Sequence, residues 1–149
     1  MKKYFIILMS VFMTSPIFAQ SDISMLPIVK EAQEYIEAIE DQLDQEIVRV
    51  EFDIIFDTKE SMRKLYSGNE YKIIAFGDYR VEDIDVAVYR RSGTSGWTLV
   101  DKDDDESDVA VASVTPNATD DYKVEIKVYK YKSGYSAAHY GLIISHQKN

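Results

Sequence analysis

The chain has 149 residues and no cysteine, and its 17 basic and 26 acidic residues give a net charge of −9. The absence of cysteine excludes disulfides, thiol nucleophiles and zinc–thiolate sites. The acidity excludes nucleic acid and anionic membranes as partners and favours cations or basic surfaces, unless it serves solubility alone.

The chain opens with Lys2 and Lys3, then an apolar stretch from Tyr4 to Met13 broken only by Ser10. Pro16 interrupts it, and Ala19 suits cleavage. Residues 1–19 are predicted to be a signal peptide. The alternative, an uncleaved anchor, would need an apolar run of about 20 residues, longer than this one. Cleavage after Ala19 leaves 130 residues, the size of one domain, and shifts the net charge to −11 because the leader holds two lysines and no acid. The mature chain is predicted to be exported, periplasmic or extracellular, with no membrane span.

Residues 20–46 carry a predicted amphipathic helix. Ile28, Ala32, Tyr35, Ile36, Ile39 and Leu43 recur every three or four residues, and Glu31, Glu34, Glu37, Asp41 and Asp44 occupy the other face. Pro27 suits its first turn. From residue 47 the period falls to two. Val48, Val50, Phe52, Ile54 and Phe56 alternate with Arg49, Glu51, Asp53 and Asp57, as in a long half-buried strand. Thr58 to Ser67 reads as a turn or a single helical turn, and Gly68-Asn69 as punctuation. Further strands are predicted at Tyr71–Phe76, around Ile84, Val86 and Val88, at Trp97–Val100, at Val109–Val114, from Tyr122 to Val128, and at Tyr140–Ser145. Seven strands between turn residues define residues 47–149 as an antiparallel β-sandwich domain.

The runs Tyr71-Lys72-Ile73-Ile74-Ala75-Phe76-Gly77-Asp78 and Asp83-Ile84-Asp85-Val86-Ala87-Val88-Tyr89 resemble the bacterial pre-peptidase C-terminal domain. So do the acidic loop Asp101–Asp105, the turn Val114-Thr115-Pro116, and the strands Tyr122–Ile126 and Tyr140–Ile144. The sequence departs from that family at Asp120-Asp121, where the family carries glycine. The resemblance implies a mainly β, jelly-roll-like sandwich that is not catalytic. It also implies a companion of secreted enzymes or surface proteins, in a family with members that bind calcium or polymers.

Three constellations could carry chemistry. Asp101, Asp103 and Asp105 alternate, and Asp83 and Asp85 share a parity on their strand, so the five carboxylates could converge on a calcium ion, which takes six to eight oxygens. Glu106 and Ala112 stand where an EF-hand needs glycine and a bidentate glutamate, so that motif is absent. A solvated turn that protects a sheet edge is the alternative. Tyr89, Trp97, Tyr129 and Tyr131 form a second candidate set, for a protein or polysaccharide ligand, because aromatic faces stack on sugars and anchor partners. Tyr129 and Tyr131 fall on the polar-parity face of their strand. His139 and His146 are seven apart, hence on opposite faces, and read as surface or strand-end residues without a shared metal.

No nucleophile elbow, zincin helix or phosphate loop is present, and the chain is predicted not to be an enzyme. The expectation is a non-catalytic binding or accessory module, calcium-stabilised if the acids converge. The alternatives are a cap or inhibitor of another secreted protein, and a hydrolase using a carboxylate pair.

Overall fold

The structure is a computed structural model and describes residues 24–147. The predicted signal peptide lies outside the described residues. Helix α1 spans Leu26–Glu37, and a wider turn, Ala38–Gln42, extends it with Leu43 N donating to Ala38 O. Asp44, at positive φ, turns the chain into strand β1, Gln45–Ile55. Then follow β2 (Thr58–Leu65), β3 (Tyr71–Gly77), β4 (Val81–Ser92), β5 (Gly96–Asp103), β6 (Val109–Val114), β7 (Asp120–Tyr131) and β8 (Ala138–Gln147).

The strands form two antiparallel sheets, ordered β1-β8-β3-β6 and β2-β7-β4-β5. Four of the seven connections cross from one sheet to the other at the end where β1 runs into β2. This is an eight-stranded jelly roll, the sandwich topology that the family resemblance implied. Between the sheets lie Ile73, Ala75, Ile84, Val86, Val88, Val124, Ile126, Leu142 and Ile144, all buried.

The outer face of the first sheet is covered by α1. Ile28, Ala32 and Ile39 pack on Phe76 and Ile143, with Tyr35 tilted over Phe76 at 4.9 Å between ring centroids. The helix is too short to be stable alone, so this second core holds it. Gly141 makes room for Phe76, because a Cβ there would come within 2.1 Å of its ring.

Three expectations are corrected. The Thr58–Ser67 segment is a strand over Thr58–Leu65, giving eight strands rather than seven. It is polar because it is a sheet edge closed by hydrogen bonds: Ser61 donates to Glu51 and Arg63 to Val48 O, both across to β1. The parity of β1 is also not simple. Its pairing with β8 skips Val48, so Val48 turns into the sandwich core while Phe52 packs toward the helix. Glu51 then lies between the sheets, accepting from Tyr140 Oη at 2.8 Å and from Arg49 and Ser61. Burial pushes Glu51 upward, yet these donors outweigh it and hold its carboxyl below the usual range. Finally, His139 stands at a strand end, the start of β8, but is buried there rather than on the surface.

Candidate functional site

The outer face of the β2-β7-β4-β5 sheet carries the aromatic candidates. Tyr89 on β4 and Trp97 on β5 flank Lys123 of β7, whose ammonium lies 4.8 Å from the Tyr89 ring centroid and 5.9 Å from that of Trp97. Lys123 is fixed by Glu60 at 2.7 Å and Glu125 at 3.4 Å, so both rings pack on an anchored cation. Beside them a groove of about 380 Å³ is lined by Met62, Arg63, Lys64, Arg91, Ser95, Gly96, Trp97 and Asp121.

Tyr129 and Tyr131 do not join this face as a pair. In the β4–β7 pairing Lys130 stands opposite Asp83 and Val128 opposite Ile84, so Tyr129 is an extra residue in β7. Such a bulge reverses the alternation beyond it. Tyr129 is 69% exposed, whereas Tyr131 turns inward, packs on the core and donates to Ile55 O at 2.9 Å. Tyr129 instead borders a recess at the opposite end, with Asp83, Asp85, Asp104, Glu106 and Lys130.

The five acids are divided by a second bulge. Val88 faces Asp101 and Tyr89 faces Leu99, leaving Val100 unpaired in β5. Beyond it Asp101 and Asp103 turn from the outer face toward β6. Asp101 accepts from Ser113 N at 2.7 Å and Asp103 from Val111 N at 2.8 Å. These amides project away from β3, so the two carboxylates cap the open edge of the first sheet. Asp105 donates its own amide to Asp103 at 3.1 Å. Asp83 is buried and accepts from Ser107 N at 3.4 Å. Asp85 stays on the recess side. Burial, Asp83 and Asp104 push its carboxyl upward, against Lys127. Among the described residues no three acidic or histidine side chains are placed to hold a metal ion.

This geometry makes a specific prediction. Asp101→Ala/Asp103→Ala lowers stability by about 1 kcal/mol per lost bond and promotes aggregation as concentration rises, read by denaturation and light scattering. Millimolar calcium is expected to leave the wild-type melting midpoint where a chelator leaves it. A calcium-induced rise would assign the loop to ion binding instead.

A third cluster was missed by the sequence reading. Asp78, Arg80 and His139 are 1%, 2% and 3% exposed at the β3–β4 turn and the start of β8. Arg80 Nε donates to Asp78 Oδ1 at 2.9 Å, and its Nη2 approaches His139 Nδ1 at 3.0 Å, where the imidazole must accept because arginine only donates. His139 N donates to Asp78 Oδ2 at 3.0 Å, and Asp78 N to His139 O. Burial raises the Asp78 carboxyl, but the Arg80 side chain and the two backbone amides bring it below its ordinary value. Above this network Tyr79 and Tyr135 meet edge to face at 6.0 Å. The only sequence signal was Asp78 and Arg80 two residues apart after a glycine, which also reads as a turn.

The fold is thus a jelly-roll sandwich with one decorated sheet face, one acidic end and one buried ionic anchor. No family model matches the chain, and no curated protein matches it. Solved structures are similar to it in fold. The pre-peptidase C-terminal domain of collagenase from Bacillus anthracis aligns at 10% identity over 64% of this chain and 87% of that one, with a TM-score of 0.49. The Aeromonas hydrophila periplasmic inhibitor of g-type lysozyme aligns at 11% identity over 69% and 86%, with a TM-score of 0.47. The Yersinia pseudotuberculosis-derived mitogen aligns at 15% identity over 70% and 87%, with a TM-score of 0.47. Among the described residues no helix is long and apolar enough to cross a membrane.

Proposed function

We propose that the protein is an exported, non-catalytic binding module whose contact surface is the outer face of the β2-β7-β4-β5 sheet. The observation that carries this reading is the placement of Tyr89 and Trp97 around Lys123, next to a groove large enough for a ligand. Rigid aromatic side chains on a sheet supply contact area at little entropic cost. Export rests on the leader-like N-terminus. A non-catalytic role is supported by the burial of the acid–imidazole contact between Asp78 and His139, which engages an arginine and is closed to substrate. The reading needs no cation.

Trp97 is the only tryptophan in the chain, so its emission reports directly on the proposed surface. Titration with a panel of soluble glycans and peptides is expected to give a saturable change for at least one of them. Tyr89→Ala should weaken that binding about tenfold or more, and Tyr129→Ala, at the other end, should leave it unchanged. An unresponsive Trp97 across the panel would remove the reading.

A further inference from the structure

The groove beside Trp97 is cationic in a chain whose net charge is −9. Arg63, Lys64 and Arg91 line it against the single carboxylate of Asp121. Arg91 is held loosely, donating to Asp121 Oδ2 and to Thr94 O at 3.4 Å each, and its side chain is 48% exposed. Lys64 enters no ion pair among the described residues. Arg63 spends one amine on Val48 O. Glu60 and Glu125, midway along the same face, are taken up by Lys123, and a further group of acids, Asp83, Asp85, Asp104 and Glu106, lies with Lys130 around the recess at the opposite end. Arg91 lies six positions beyond Asp85 along β4, a distance of about 20 Å at strand rise. An anionic ligand is therefore repelled from one end of the face and drawn to the other.

The apolar floor narrows the chemistry. Trp97 and Met62 offer a flat aromatic face and a pliable thioether between the cations. A guanidinium grips a carboxylate with two parallel donors, and an ammonium adds a point charge. One rigid unit that presents both a flat C–H face and a carboxylate is a sugar ring bearing an acid. An acidic peptide carries its carboxylates on flexible stems and has no such face. The groove volume falls within the range of roughly 300–1,000 Å³ typical of small-ligand sites, suited to a short stretch of sugar rings.

We propose that the groove binds a carboxylate-bearing sugar polymer, with Trp97 against a ring and Arg91 and Lys64 on the acid groups. This rests on the reading of the sheet face as the contact surface. The test is titration of the intact protein, followed by Trp97 emission, with three probes: an oligogalacturonate, a neutral cello-oligosaccharide and an oligoglutamate peptide. The oligogalacturonate is expected to bind saturably, to weaken as salt is raised, and to lose about tenfold or more in Lys64→Ala/Arg91→Ala. The single variant Lys64→Glu, at an exposed position, should weaken it as well, and an unchanged melting midpoint verifies that this variant is folded. Equal binding of the neutral oligosaccharide, or full affinity in a folded variant, overturns the anionic ligand while leaving the contact surface standing. A response to oligoglutamate alone makes the occupant an acidic protein segment and overturns the sugar. Silence with all three probes removes both readings.

Discussion

Asp78→Ala is expected to lower the unfolding free energy by about 3–5 kcal/mol, a large share of the stability of a single domain. The substitution leaves Arg80 only 2% exposed with its main partner gone, and it also strips an acceptor from the amides of Arg80 and His139. Much of the loss is the penalty of an unpaired buried charge rather than the worth of the pair. A double apolar replacement, Asp78→Leu/Arg80→Met, should therefore recover part of it. Chemical denaturation of the two variants checks this, and equal losses in both would refute it. The pH dependence has a definite sign. Asp78 and Glu51 are both held below their ordinary values in the fold, while in the unfolded chain such carboxyls titrate near roughly 4. Their contribution is complete above that value and is lost as pH falls through the lower folded values. The Asp78→Ala variant should show a correspondingly shallower acid loss.

Phe76→Ala is expected to cost about 3–5 kcal/mol and to release the helix from the sandwich. Phe76 is fully buried, and it occupies the space that Gly141 leaves open beneath Tyr35 and Ile28. Truncation removes the centre of this second core. Circular dichroism should lose helical signal before the strand signal melts, because α1 has little intrinsic stability to fall back on. Tyr35 gives a second readout. Burial and the neighbouring Glu31 push its hydroxyl up to about 12 in the folded molecule, and undocking should let it ionise at lower pH. A single cooperative transition with Tyr35 unchanged would show that the helix is held by other contacts.

Strand existence was legible wherever one face is buried and the alternation runs unbroken, as in Tyr122 to Val128. It was not legible in β2, where Lys59, Glu60, Arg63 and Lys64 hide an edge strand behind polar side chains. Face assignment failed at extra residues. Val48, Val100 and Tyr129 each shift the register by one, and one residue moves every later side chain to the other face. That is why Asp101 and Asp103 cap β6 and Tyr131 enters the core, although their spacing placed them elsewhere. Tyr89 and Trp97 lie on the near side of the Val100 bulge and share the outer face around Lys123. The ionic anchor depends on a contact between residues 61 positions apart, Asp78 and His139, that no local pattern encodes.

The position of β8 has a consequence for how the molecule forms. The last strand sits between β1 and β3, so the first sheet lacks its connecting member until residues 138–147 are available. Neither β1 nor β3 has another neighbour on that side. Sheet completion must therefore wait for residues 138–147, and pairing β1 with β8 entails a large loop-closure entropy. Such non-local topologies fold on timescales of about milliseconds to seconds. A nascent chain of this kind leaves β1 and β3 unjoined until residues 138–147 have been made.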